Sequence, residues 1–272
     1  MNAIIKYLKK DLLKNISLIY FQQNNPVMYL KREGNSVVLK GTSDQDWIFI
    51  SSDQPEELKI ILDSFDPTEK YFASIESWML PFFHSRWEMK WALTANRYYL
   101  PDEVTLEPPA DIKIRKLKAA EAEYIYRYSE YQTYTSADYL KTRIERGLSA
   151  GIEENGQLLA WVLTHDDLAI GTLHVLESAR RKGYATVLTN YMISELRKKG
   201  IIPFVQIVPD NTASIRLAER SGFRFDREVS WLAIRKKKDK IRQKTDPSTD
   251  GEKRQKTKEK NKITRYKIQN KK

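Results

Sequence analysis

Residues 168–185 read Leu-Ala-Ile-Gly-Thr-Leu-His-Val-Leu-Glu-Ser-Ala-Arg-Arg-Lys-Gly-Tyr-Ala, and the fold turns on how this stretch is read. Leu168–Val175 is apolar enough for a strand. Thr186–Lys199 places Val187, Leu188, Tyr191, Met192 and Leu196 on one helical face, and Gly200 closes it. A glycine between strand and helix, here Gly183, lets the main chain approach a bulky anion closely. The first N–H groups of the helix then point outward unpaired, with the positive end of its dipole behind them. Arg180, Arg181 and Lys182 add cationic charge, and Ala185 stays small where the next turn must clear a ligand. The segment therefore predicts a phosphate cradle. The [Arg/Gln]-x-x-Gly-x-[Gly/Ala] spacing alone is common, and its surroundings give it weight. A buried strand at Ile202–Val208 follows, then Asn211-Thr-Ala-Ser214, a short helix at Ser214–Arg220, and Ser221-Gly-Phe223.

Moving outward, Ile112–Leu117 reads as a strand, and Ala119–Tyr131 and Ala137–Arg146 as helices. Asn155-Gly156 joins strands Ala150–Glu154 and Leu158–Leu163 by a tight turn, and Phe223–Ile234 supplies the closing strands. This order predicts an α/β (α+β) fold with a mixed, mostly antiparallel sheet flanked by helices. The proline-bracketed stretch Pro101–Pro109 suits neither helix nor central strand and sets a linker at 101–110. Residues 1–100 are expected to form a smaller α/β domain, and 111–234 the main one. In the former, Met1–Gln22 suits an amphipathic helix. Gly34-Asn35 joins strands at Val27–Leu30 and Val37–Lys40, and Trp47–Ile50 is a further strand. Glu56–Phe65 reads as a helix, and Arg86–Tyr99 alternates as a half-buried strand. No internal repeat is visible.

The net charge of +11 is unevenly placed. Arg235–Lys272 holds 17 Lys and Arg against 5 Asp and Glu, which leaves 30 against 31 in residues 1–234. The basicity belongs to a tail at 235–272, too poor in apolar residues to offset its ordering entropy and read as disordered. Such a tail offers weak contact with nucleic acid through counterion release, and motivates a ribosome- or nucleic-acid-associated role as one reading. The absence of cysteine excludes disulfides, thiolate metal sites and a cysteine nucleophile. His84, His165 and His174 are too scattered for a zinc pattern, so no metal is expected. His84, among Phe82, Phe83 and Trp87, reads as a core histidine. No apolar run approaches a membrane span, and the expected location is cytoplasmic. Nucleoside-triphosphate, dinucleotide and serine-nucleophile motifs are absent.

Over residues 111–234, most strongly 158–231, the sequence resembles the GNAT N-acetyltransferase superfamily. The residues that carry this are Thr172-Leu-His-Val175, Arg180-Arg-Lys-Gly-Tyr-Ala185, Ile201-Ile-Pro-Phe-Val205, Asn211-Thr-Ala-Ser214 and Ser221-Gly-Phe223. They look closest to its glycine N-acyltransferase-like branch, some members of which carry a degenerate second half in the N-terminal region. The resemblance implies that acetyl-CoA or another acyl-CoA is the co-substrate and a small amine or amino acid the acceptor. Arg180, Arg181, Lys182, Gly183, Tyr184, Ala185 and Thr186 match the pyrophosphate loop. Leu173 and Val175 match the strand whose main chain pairs with the pantetheine arm, and Asn211 the asparagine beside the CoA chain. The amine attacks the thioester directly, with a main-chain amide near Val175 polarising the carbonyl.

Two positions depart from that pattern. The tyrosine that many relatives place seven residues after the asparagine is Ala218 here, and the usual glutamate-base positions are Ala169 and Gln206. His174 is the remaining candidate base, with Asp166 and Asp167 just upstream. A protein that binds acyl-CoA without turning it over is the alternative these departures raise.

Overall fold

A computed structural model describes residues 2–66, 68–106 and 112–237. The chain up to Lys236 forms one compact unit. The tail beyond Lys237 and part of the 101–110 linker therefore lie outside the described residues, while Arg235 and Lys236 still belong to the last strand.

The N-terminal stretch builds α1 (Asn2–Leu8), α2 (Ile16–Asn24), β1 (Val27–Glu33), β2 (Ser36–Thr42), β3 (Asp46–Ser51), α3 (Pro55–Asp63), β4 (Tyr71–Glu76), α4 (Leu80–Arg86) and β5 (Trp87–Tyr99). After the linker come β6 (Ile114–Arg115), α5 (Ala122–Arg127), α6 (Ala137–Arg146), β7 (Ser149–Glu154), β8 (Gln157–Thr164) and β9 (Ile170–Val175). Then follow α7 (Tyr184–Lys198), β10 (Phe204–Ile207), α8 (Thr212–Arg220) and β11 (Arg224–Lys236). All strands join one eleven-stranded sheet, ordered β1-β2-β3-β4-β11-β5-β10-β9-β8-β7-β6. Only β3–β4 and β9–β10 are parallel; the other neighbours are antiparallel.

The sheet does not part at 101–110. Each half runs as three antiparallel strands, a helix, a parallel strand, a helix and a long strand of 13 residues, β5 or β11. Those last strands are exchanged: β5 pairs with β10, β11 pairs with β4, and the two pair with each other. The closing element expected at Phe223–Ile234 is thus one long strand, because β5 already supplies its partner. In each half the parallel pair separates soon after it starts. β3 and β4 touch at Trp47↔Tyr71 and Ile48↔Phe72, and β9 and β10 at Ile170↔Val205 alone.

Local chemistry explains the other departures. The expected N-terminal helix breaks into α1 and α2, since the Asn15 side-chain amide donates to the Leu8 and Asp11 carbonyls and turns the chain between them. β4 and α4 escape notice because aromatics and a proline blur both periodicities. The expected helix at Ala119–Tyr131 holds its α-helical turn only over Ala122–Arg127, and β6 keeps only two residues.

Polar bonds tie the halves together. Arg97, 1% exposed, donates from Nε to Asp226 at 2.8 Å and from Nη2 to the Leu13 carbonyl at 2.8 Å. Asn25 donates to the Asp166 carbonyl at 2.9 Å, and the Ser43 hydroxyl to the Asp166 carboxylate at 2.6 Å. Burial, and then neighbouring Asp167, push the Asp166 carboxyl up to about 7. A carboxyl raised above its ordinary 3.8 contributes stability that is complete below pH 4 and lost as pH rises through 7. Asp166→Asn keeps an acceptor for Ser43 and carries no charge. Chemical unfolding at pH 5 and pH 8 is expected to show this variant gaining on the wild type toward pH 8; an equal difference at both pH values would refute the assignment.

Candidate coenzyme cradle and acceptor rim

Between β9 and α7 the chain makes a short 3-10 turn at Glu177–Ala179 and then two left-handed residues, Arg181 at φ 65° and Gly183 at φ 82°. The alternation of hands turns successive N–H groups toward one side, which makes an anion-binding concavity. None of the N–H groups from Arg181 to Thr186 finds a backbone acceptor; the ladder of α7 resumes with Val187 donating to Gly183 at 3.1 Å. Arg180, Arg181, Lys182 and Gly183 are exposed, as is Thr186, while Ala185 is half-buried. Arg180 and Arg181 have no ion-pair partner among the described residues, and Lys182 pairs loosely with Glu154 at 3.4 Å. Tyr184, 6% exposed, buries its ring and donates its hydroxyl to the same Glu154, pinning the start of α7 to the β7–β8 turn. The expected helix start at Thr186 lies two residues late, because the left-handed Gly183 begins it.

β9 forms the adjoining wall. Its ladder to β8 slips at Thr172, which takes φ 52°. Because β10 leaves at Ile170, the β10-facing edge of Gly171–Val175 has no strand neighbour, and Leu173 and Val175 pack partly against the main core. His174 turns the other way. Its ring stacks on Trp161 at 4.7 Å and lies 5.4 Å from Tyr128. Burial, then the Arg180 charge, push its imidazole below the ordinary 6.5 against a smaller pull from Glu130. It is therefore neutral at pH 7, with a proton-accepting nitrogen.

Asn211 ends the opposite wall. It caps α8, its side-chain oxygen accepting from Ser214 N at 3.1 Å. Ala218 is 4% exposed in the core, and Ala169 is fully buried. Gln206 donates to Asp167 at 2.9 Å and to Ser17 at 3.1 Å, so that carboxylate is already engaged. His165 hydrogen-bonds Tyr139 at 3.2 Å, away from His174.

Sequence reasoning missed the residues that bridge the two walls. Because α5 stops at Arg127, Tyr128–Thr135 becomes a connection across the opening. The Tyr131 hydroxyl lies beside Asn211, and burial raises its pKa most, with Glu130 and Asp210 adding to this and Asn211 opposing. The available signal was the polar run Ser129-Glu130 and Thr133 to Ser136, which interrupts helical periodicity.

This is a GNAT-like fold, a mixed α/β sheet with antiparallel pairing dominant and helices on its faces. Within it, residues 146–232 match the family model described as FR47-like protein. Among solved structures, a Drosophila protein is 20% identical over 86% of this chain and 95% of its own, with a TM-score of 0.71. A GCN5-related N-acetyltransferase from Kribbella flavida is 14% identical, covering 82% and 94%, with a TM-score of 0.54. A functionally unknown conserved protein from Staphylococcus epidermidis is 11% identical, covering 82% and 100%, at 0.51. No curated protein matches the chain. Among the described residues, no cluster of His, Asp and Glu is placed to hold a metal ion, and no helix is long and apolar enough to cross a membrane.

A Cβ at Gly183 would meet nothing within 4 Å, so a side chain there costs only backbone strain. Gly183→Val is expected to fold and to lose about 1–2 kcal/mol, the left-handed penalty for an L-residue, as read by chemical unfolding. Failure to fold would contradict the open geometry.

Proposed function

We propose that this chain is an acyl-CoA-dependent N-acyltransferase that moves an acetyl or other short acyl group to a primary amine, in the manner of the glycine N-acyltransferase-like branch. The observation that carries this reading is the run of acceptor-free amides from Arg181 to Thr186 beside the unpaired edge of β9. The first suits a diphosphate, with Arg180 and Arg181 as uncommitted cations. The second offers N–H and C=O groups from Leu173 to Val175 to the amides of a pantetheine arm. The FR47-like match over 146–232 and the name of the Kribbella neighbour support it.

On this reading the amine nitrogen attacks the thioester carbonyl carbon, the developing oxyanion is held by a main-chain amide of β9, and the C–S bond breaks with its electron pair going to sulfur. Neutral His174 takes the proton of the attacking amine. With Ala218 at the usual tyrosine position, Tyr131 beside Asn211 is the phenol assigned to protonate the thiolate. A thiolate needs less help from an acid than an alkoxide, so this step contributes modestly. Residues 1–100 are, on the same reading, a degenerate second half, 101–110 the linker and 111–234 the working half.

Acetyl-CoA with an amine panel, followed by thiol release, tests the activity, and turnover is expected. CoA binding without release from any amine would favour the non-catalytic alternative. Gly183→Val is expected to weaken CoA binding by about tenfold or more, 1.4 kcal/mol. Tyr131→Phe should lower kcat with CoA affinity intact, and His174→Gln should remove an acidic limb lying below pH 6.5.

A further inference from the structure

The connection between α5 and α6 presents three tyrosines in a row along the opening. Tyr128, 42% exposed, faces His174 at 5.4 Å; Tyr131 stands beside Asn211; Tyr134, 39% exposed, meets Trp91 of β5 edge-on at 5.4 Å. The segment therefore runs from the β9 wall, past the β10 end, to the strand beyond. Charge on this rim is one-sided. Glu130 acts electrostatically on both His174 and Tyr131, and Asp210 acts on Tyr131. Both carboxylates are exposed and neither has an ion-pair partner among the described residues. Among the described residues, the cation that acts on His174 is Arg180, which on the acyltransferase reading belongs to the cradle and would be neutralised by a bound diphosphate.

Aromatic faces with uncompensated carboxylates attract a body that is apolar and carries a positive charge. They repel a second carboxylate, which would meet Glu130 and Asp210. Resting on the acyltransferase reading above, we infer that the Tyr128–Tyr134 rim binds the acceptor, and that the acceptor is an aromatic or bulky apolar primary amine without a carboxylate rather than an amino acid. Such an amine arrives as its ammonium, drawn by Glu130 and Asp210 and seated against the tyrosine rings, and gives up one proton to solvent before its nitrogen attacks the thioester carbon, the second passing to His174.

The test uses the full chain, acetyl-CoA and matched acceptors: phenethylamine against phenylalanine, tryptamine against tryptophan, and glycine. In each pair the amine is expected to exceed the amino acid in kcat/KM by roughly tenfold or more. The double variant Glu130→Gln, Asp210→Asn is expected to raise KM for the amines several-fold and to narrow the gap, with CoA binding by thermal shift unchanged. Equal or better use of the amino acids or glycine, or a gap untouched by the double variant, would overturn the inference while leaving acyl transfer intact. No release from any acceptor by a protein that still binds CoA would instead overturn acyl transfer itself, and this inference with it.

Discussion

A folded chain ordinarily satisfies its backbone N–H groups, and between β9 and α7 this one leaves a row of them open. From Arg181 to Thr186 the amides have no internal acceptor, held so by left-handed Arg181 and Gly183 and by a helix whose first turn cannot pair its own donors. Keeping them aimed requires rigid flanks. Tyr184, anchored to Glu154, fixes one side, and the β8–β9 ladder fixes the other. The early separation of β9 from β10 then opens a slot that continues the cradle along the sheet. The proposed coenzyme site follows from that arrangement of main chain.

The exchange of β5 and β11 explains why the protein needs both halves. Without β5, β10 would have β9 as its sole neighbour, held by one register pair. Arg97 and Asp226 sit at this seam, and the desolvation of so buried a guanidinium is offset by its carboxylate partner. The N-terminal half repeats the strand pattern and its own diverging pair, yet lacks the cradle. Only Ser52–Gln54 connects β3 to α3, with Asp53 paired to Lys14 and Glu56 to Lys59, whereas Arg180 and Arg181 have no such partner among the described residues. The proposed coenzyme site thus uses one of two similar slots.

Much of the C-terminal half was legible because its signals are local. Asn155-Gly156 marks the β7–β8 turn, α6 falls at Ala137–Arg146 as its periodicity predicts, and Arg180 to Gly183 falls between a strand and a helix. The repeat between halves was invisible because it resides in strand pairing, whereas the side chains at matching positions have diverged. The aromatic rim was hidden for a related reason. Tyr128 and Tyr131 read as helical until α5 ends at Arg127, and the stop comes from tertiary contacts with His174, Trp161 and Asn211. The roles of the cradle residues rest on resemblance, and the left-handed Gly183 and the open amides from Arg181 to Thr186 are what support the proposed reading.

Backbone amide hydrogen exchange, with and without CoA, addresses the core of this account most directly. Bound CoA is expected to slow exchange at Arg181–Thr186 and at Leu173–Val175, and to leave the start of α3 at Gln54–Glu57 unchanged. Unaltered exchange from Arg181 to Thr186 at saturating CoA, or protection centred on the β3–β4 slot instead, would contradict it.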